Sequence, residues 1–273
     1  MKIKDIEELK KIANNVRKGI LEGTYNAKSG HPGGSLSISD ILTVLYFNQM
    51  NVDSKNPNSQ SRDRLVLSKG HTAPALYAVL AEKGYFGKDE LKKLRSIDGM
   101  LQGHPDMEKT PGVDMSTGSL GQGLSVANGM AMASKLNHEG VRVYCICGDG
   151  EIQEGQIWEA AMTSSHYKLD NLCLIVDNNN LQIDGKVNEV MSIYPLKEKF
   201  ESFGFEALEI DGHNFEEIID AFEKAKTIKK KPTVIIAKTI KGKGISFMEN
   251  EAGWHGKAPN EEEYNIAMKE LEG

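Results

Sequence analysis

Three nearly unbroken apolar runs limit what this 273-residue chain can become: VRVYCIC (141–147), LCLIVD (172–177) and TVIIAK (233–238). A strand with one face in water alternates apolar and polar residues, and these do not. Both of their faces must be covered, which is the condition of strands in a parallel sheet sandwiched between helices. RLVLS (64–68) and FEALEI (205–210) are shorter strand candidates. The segments between them read as helices. Ile6, Leu9, Ile12, Ala13, Val16 and Ile20 recur at helical spacing over about residues 5–27. SISDILTVLYFNQM (37–50) reads as a second helix capped by Ser37 or Ser39, and TAPALYAVLAEKG as a third ending at a C-cap glycine, Gly84. GLSVANGMAMASKL, EGQIWEAAMTSSHYK and NFEEIIDAFEKAK complete the series, with a long irregular region from about Asp98 to Gly118. EEEYNIAMKELEG (261–273) reads only as a polar end to the chain. The expectation is an α/β fold, a mainly parallel sheet with helices on both faces. Residues 1–273 would form a single domain with an N-terminal helical segment.

Charge and cysteine usage narrow the setting. Thirty-three Lys and Arg against 39 Asp and Glu give a net charge of −6, which argues against nucleic acid or an anionic membrane as partner. An anionic ligand must therefore be met by a local site. Cys145, Cys147 and Cys173 lie in apolar runs without metal-ligand spacing, as buried small hydrophobes would. An odd count with no disulfide framework fits a reducing compartment. The N-terminus MKIKDIEELKK has no apolar core of a signal peptide, and no stretch approaches the roughly 20 apolar residues of a membrane span. The protein is expected to be cytoplasmic.

Ligands of such sheets sit beyond the carboxyl ends of the strands. Two of these ends are chemically unusual: Gly148-Asp149-Gly150 after the first run, and Asp177-Asn178-Asn179-Asn180-Leu181 after the second. One helix separates them, so the two loops should lie side by side. They offer hard oxygen donors: the Asp149 carboxylate, the Asn179 amide oxygen and loop carbonyls. Mg²⁺ takes six oxygens in near-octahedral geometry and is commonly shared with phosphates. The glycines beside Asp149 let backbone N–H groups approach a phosphate closely. Either loop alone would pass for an ordinary turn. The ordered unit, with 27 residues between Gly150 and Asn178, is far more specific.

The segment GDGEIQEGQIWEAAMTSSHYKLDNLCLIVDNNNLQIDG resembles the thiamine diphosphate motif, and its internal wording is similar to that of transketolases. That resemblance implies the thiamine-diphosphate-binding fold of a PP-type domain. It also implies that Asp149 and Asn179 give side-chain ligands to Mg²⁺, with Leu181 giving its backbone carbonyl. Gly148, Asp149, Gly150 and Glu151 would form the turn against the cofactor. Four histidines lie in glycine-rich or turn-like loops: His31 in SGHPGG, His71 in SKGHTAP, His104 in LQGHPDM and His255 in AGWHGKAP. Transketolases carry a similar set in the same order. By resemblance His31 and His104 would contact sugar hydroxyls, and His71 and His255 the diphosphate and reacting end of the cofactor. Gly118 and Leu120, in PGVDMSTGSLGQGLS, would pass beside the thiamine rings. Glu154 matches a glutamate that pairs with the catalytic glutamate of a neighbouring subunit; complementing a helix dipole is the plainer reading. Lys241 and Lys243 fit the family wording or a solvated loop equally well, and His213 reads as structural.

Single-chain transketolases continue into a pyrimidine-binding domain and a third domain, and this chain ends at Gly273. The expectation is a chain inactive alone, completed by a C-terminal subunit carrying the pyrimidine-binding domain, as two copies of each. The activity implied is transfer of a two-carbon ketol unit between sugar phosphates. The α subunit of a thiamine-dependent 2-oxoacid dehydrogenase is the nearest rival, and a non-catalytic partner-binding subunit is another. The GHPGG and GWHG segments favour sugar chemistry.

Overall fold

The computed structural model describes residues 2–272. Five parallel strands form its sheet: β1 (Arg64–Leu67), β2 (Val143–Gly148), β3 (Leu172–Asn178), β6 (Glu206–Asp211) and β7 (Thr233–Lys238). Strands β4 (Leu181–Gln182) and β5 (Gly185–Lys186) make a separate antiparallel hairpin directly after β3. The helices are α1 (Ile6–Ala27), α2 (Pro32–Ser37), α3 (Ser39–Val44), α4 (Ala73–Lys83), α5 (Gly123–Leu136), α6 (Gly155–His166), α7 (Val187–Val190), α8 (Leu196–Ser202), α9 (Phe215–Thr227) and α10 (Glu261–Glu270).

The apolar runs behave as their composition requires. Along β2, Tyr144 and Ile146 pack into a core with α1, α3, α4 and α9, while Val143, Cys145 and Cys147 enter a second core with α5, α6 and α8. Cys173 and Ile175 of β3 follow the first pattern, and Leu172, Leu174 and Val176 the second. Each run is apolar throughout because successive side chains point into opposite cores. All three cysteines are buried and free.

Strand order β1-β2-β3-β7-β6 fixes where a ligand can enter. The chain steps from β1 through β3 in one direction, jumps to the far edge at β6, and returns to β7 beside β3. Winding therefore reverses between β3 and β7, and the crevice at such a reversal is where open α/β sheets bind ligands.

The local elements depart from the sequence reading in three places. The second helix begins earlier, at Pro32, which suits the first helical turn because it has no N–H to satisfy. It breaks at Ile38 and ends in a π-helical turn, Leu45–Gln49. Neither Ser37 nor Ser39 caps it: the Ser37 hydroxyl donates to Asp177 at 2.6 Å, and that of Ser39 to the Ser35 carbonyl. The polar end of the chain is helix α10, started by a capping box between Asn260 and Glu263 and packed on α1. Leu196–Ser202, unassigned from sequence, is α8. Gly84 ends α4 in the left-handed conformation expected of it (φ 86°). Among the described residues, no helix is long and apolar enough to cross a membrane.

Candidate active site

A cavity of about 380 Å³ opens at the carboxyl ends of β1, β2, β3 and β7. Gly148 and Asp177 are register partners at the ends of β2 and β3, so the two unusual loops do lie side by side. Asp149 follows β2 and is almost wholly buried. One carboxylate oxygen accepts from the Gly150 N–H at 2.8 Å and the other from the Asn180 N–H. Burial and then the negative charge of Asp177 push its pKa up to about 7. Among the described residues Asp149 has no salt-bridge partner, so it is a buried carboxylate in a cavity without a counter-charge within 4 Å. That environment favours a cation.

Asp177, fully buried at the end of β3, organises its surroundings. It accepts from Lys69 Nζ at 2.5 Å, Ser37 Oγ at 2.6 Å, Asn179 Nδ2 at 3.1 Å and the Thr239 hydroxyl. Burial alone would raise its pKa; Lys69 and the hydrogen bonds outweigh this and hold it low. Because Nδ2 of Asn179 is committed to Asp177, its Oδ1 is left as an acceptor, here taking the Leu181 N–H at 3.0 Å. The Leu181 carbonyl accepts from Lys241 Nζ at 3.2 Å. Asp149, Asn179 and Leu181 all line the cavity. No cluster of three His, Cys, Asp or Glu suited to a metal occurs among the described residues. A metal here would draw on one carboxylate, one amide, one carbonyl and oxygens of its ligand, the mixed shell that Mg²⁺ accepts.

His31, His71 and His255 meet across the cavity with ring centroids 5.1 to 5.4 Å apart. Gly33 lets their loops close up, since a Cβ there would stand 2.8 Å from the Trp254 carbonyl and 3.1 Å from the Lys241 side chain. The Lys241 ammonium donates to His255 Nδ1 at 2.9 Å, which leaves the ring proton of neutral His255 on Nε2. His104 is exposed and stands apart in a neighbouring hollow, although its ring is 3.2 Å from where a Cβ of Gly118 would be. The Tyr77 hydroxyl, 3.0 and 2.9 Å from the Gln102 and His104 carbonyls, ties that loop to α4. Gly118 takes a backbone angle that favours glycine (φ 155°), and Leu120 lines the cavity with partial exposure.

Burial, with neighbouring cations, depresses the three clustered imidazoles: His31 to about 4, His255 to about 3, and His71 further still. They are neutral in the fold at neutral pH, whereas unfolded histidines gain protons below about 6.5. Acid therefore favours the unfolded chain, and stability should fall as the pH drops from about 6.5 towards 4. Denaturant midpoints of the cofactor-free protein across that range test this. The decline should be shallower in a His71→Asn, His255→Asn variant.

Glu151 and Glu154 both line the cavity, in different settings. The Glu151 carboxyl is turned into the structure, accepting from Ser68 Oγ, Gly121 N–H at 2.9 Å and Gly148 N–H at 3.1 Å. It knits three cavity loops together and lines the cavity almost wholly buried. Glu154 is the exposed N-cap residue of α6 at the cavity edge and makes no side-chain cap bond. A short 3₁₀ turn, Gly150–Gln153, separates α6 from the GDG turn. Two residues escaped the sequence reading as members of the site, Lys69 and Asp177, and a third, Lys241, was left open there. Lys241 is buried, and burial followed by the charge of Lys69 lowers its pKa to about 8. Lys243 is instead half-buried beside Glu249. The signal for the two lysines was their placement next to glycines in SKGH and TIKGKG. For Asp177 it was an acid closing an apolar strand.

Residues 8–272 match the family model described as transketolase, thiamine diphosphate binding domain. A 6-deoxy-6-sulfo-D-fructose transketolase subunit from Clostridium sp. (strain MSTE9) is 49% identical over 97% of this chain and 96% of its own length. An apulose-4-phosphate transketolase subunit from Phocaeicola vulgatus is 44% identical over 97% and 94%. Human transketolase is 46% identical, but the match covers 92% of this chain and 40% of that protein. The crystal structure of Campylobacter jejuni transketolase superposes with a TM-score of 0.91 at 38% identity, over 98% of this chain and 43% of that one. The chain thus spans nearly the whole of two relatives named as subunits and about two fifths of the long transketolases. It belongs to the transketolase family, as a chain of the N-terminal, thiamine diphosphate-binding part.

Proposed function

We propose that this chain is the cofactor-holding subunit of a two-chain transketolase that transfers a two-carbon ketol unit from a ketose phosphate to an aldose phosphate. The observation that carries this reading is Asp149, a buried carboxylate without a counter-ion, in one cavity with Asn179, Leu181, Lys241 and three neutral histidines. Thiamine diphosphate, when bound, supplies the carbon nucleophile that a ketol transfer requires. Asp149, Asn179 and the Leu181 carbonyl are the residues that would hold its Mg²⁺. The Gly150 backbone and the Lys241 ammonium would face the diphosphate charge, whereas the Lys69 ammonium is already held by Asp177 and the Gly34 carbonyl. His71 and His255 orient the diphosphate and reacting end, and His31 with His104 at the rim binds sugar hydroxyls. Neutral imidazoles suit that work, since each can donate from one nitrogen and accept at the other. Gly118 and Leu120 would lie beside the rings, and Glu154, exposed at the cavity edge, would pair with a second subunit.

The residues supporting this reading form one diphosphate-binding domain. The missing groups, a pyrimidine-binding domain and the residues gripping the sugar phosphate, are assigned to a C-terminal partner chain. An α2β2 assembly in the cytoplasm is the arrangement we expect. Two similar subunits of matching length are named for different ketoses, so membership of the family does not by itself name the sugar. Pentose phosphates are the first substrates to try. The test is ketol transfer by the native assembly isolated through this chain, dependent on thiamine diphosphate and Mg²⁺. Release of CO₂ from pyruvate or branched 2-oxoacids without ketol transfer would overturn it in favour of the dehydrogenase reading.

A further inference from the structure

On the far side of the Lys241 loop from the cavity lies a buried polar cluster that the proposed chemistry does not use. Asp40 of α3 is 3% exposed, and its Oδ2 accepts from Arg17 of α1 at 2.7 Å and pairs with His213 Nδ1 at 2.8 Å. The other nitrogen of His213, Nε2, accepts the backbone N–H of Ile240 at 2.9 Å. An imidazole that accepts at Nε2 must carry its proton on Nδ1, so His213 donates to Asp40. Arg17 reaches the same loop from the other end, its Nε–H donating to the Lys243 carbonyl at 3.2 Å. Residues 240 and 243 are therefore both held by groups that converge on one carboxylate, and Lys241 stands between them.

We infer that His213, with Asp40 and Arg17, is a positioning residue for Lys241 and so for the diphosphate end of the site. The reason lies in what a buried lysine requires. Lys241 is 2% exposed, and its ammonium rests on two acceptors, the Leu181 carbonyl and His255 Nδ1. A flexible stem of four carbons cannot define that position; the backbone must. Gly242 and Gly244 follow with left-handed angles (φ 79° and 94°), in a turn whose own bonds are the Lys243 N–H on the Ile240 carbonyl (3.2 Å) and the Asn250 N–H on the Lys241 carbonyl (2.9 Å). The Gly242 N–H on the Gly33 carbonyl (2.9 Å) is the loop's tie towards the cavity. The His213 and Arg17 bonds are its ties on the opposite side. His213 does not line the Asp149 cavity, and its effect passes through the Ile240 peptide.

The inference rests on the cavity taking thiamine diphosphate. The test compares His213→Asn with His213→Gln in the native preparation isolated through this chain, titrated with thiamine diphosphate and Mg²⁺ by calorimetry. Asparagine keeps a donor near Asp40 but leaves Ile240 N–H without an acceptor, while the longer glutamine places an amide oxygen where Nε2 was. Affinity should fall about tenfold in His213→Asn, the scale of one hydrogen bond, and recover to within about threefold in His213→Gln. Thermal stability should not separate the two variants. Wild-type affinity in His213→Asn, or equal loss in both variants, would overturn the role of His213. Failure of the wild type to bind would instead overturn the cofactor reading itself. Should His213→Asn not fold, Arg17→Lys reads the loop from its other end. It keeps the charge beside Asp40 and loses the Nε–H bond to Lys243, and it should weaken binding several-fold; unchanged affinity there would count against the inference.

Discussion

Replacing Asp149 with alanine should weaken Mg²⁺-dependent binding of thiamine diphosphate by at least about 100-fold, more than loss of an outer-shell group usually costs. Asp149 is the one carboxylate among the three proposed metal ligands, and Mg²⁺ sites of this kind depend on one or two carboxylates plus phosphate oxygens. The fold should tolerate the change. The aspartate accepts only two backbone N–H groups, from Gly150 and Asn180, which the cavity can solvate. Removing a buried carboxylate whose pKa is already raised also relieves a desolvation cost. The expected signature is thus lost affinity in a calorimetric titration at wild-type or higher thermal stability. Unchanged affinity would remove Asp149 from the ligand set.

Asp177→Asn should have the opposite signature, a large loss of stability with or without cofactor. The substitution keeps the shape but strips the charge that offsets Lys69, which is 2% exposed and, among the described residues, has only the Gly34 carbonyl (3.0 Å) as a further acceptor. Leaving one partner of a buried ion pair alone costs about 3–5 kcal/mol. The new NH₂ would also replace one acceptor oxygen, facing either Thr239 or the set of Lys69, Ser37 and Asn179, all of which donate to Asp177 now. Denaturant unfolding of the purified protein measures the change. A loss below about 1 kcal/mol, the scale of an exposed pair, would mean that Asp177 is not the electrostatic anchor assigned here.

Asp149 and Asp177 also show how far the sequence could be read. The GDG and DNNN loops were legible because an ordered strand–turn–helix–strand–turn unit requires them to be neighbours, and the register of Gly148 with Asp177 bears that out. The parallel sheet was legible because β2, β3 and β7 are apolar on both faces. The role of Asp177 was not, because its partners come from positions 37, 69, 179 and 239, and no local pattern announces such long-range bonds. Ser37 misled for the same reason: a serine before an apolar run is a sound cap signal, but its hydroxyl serves a strand 140 residues away. Lys241 and Lys243 fitted the family wording and a solvated loop equally well, and only the fold separates the buried lysine from the half-buried one. The four loop histidines stood out by their glycine-rich surroundings, and three of them line the cavity. Proximity of three of them, with His104 apart, depends on how the loops at 31, 71 and 255 fold back over the sheet.

The most direct test of the two-chain reading is to tag this chain at its native locus, purify it gently from its own cells and identify by mass spectrometry what accompanies it. The expected result is a stoichiometric second chain with a pyrimidine-binding domain, and ketol transfer from a ketose phosphate that appears with both chains and vanishes when they are separated. A chain that emerges alone, or that turns over a ketose phosphate after rigorous purification from any partner, would contradict it.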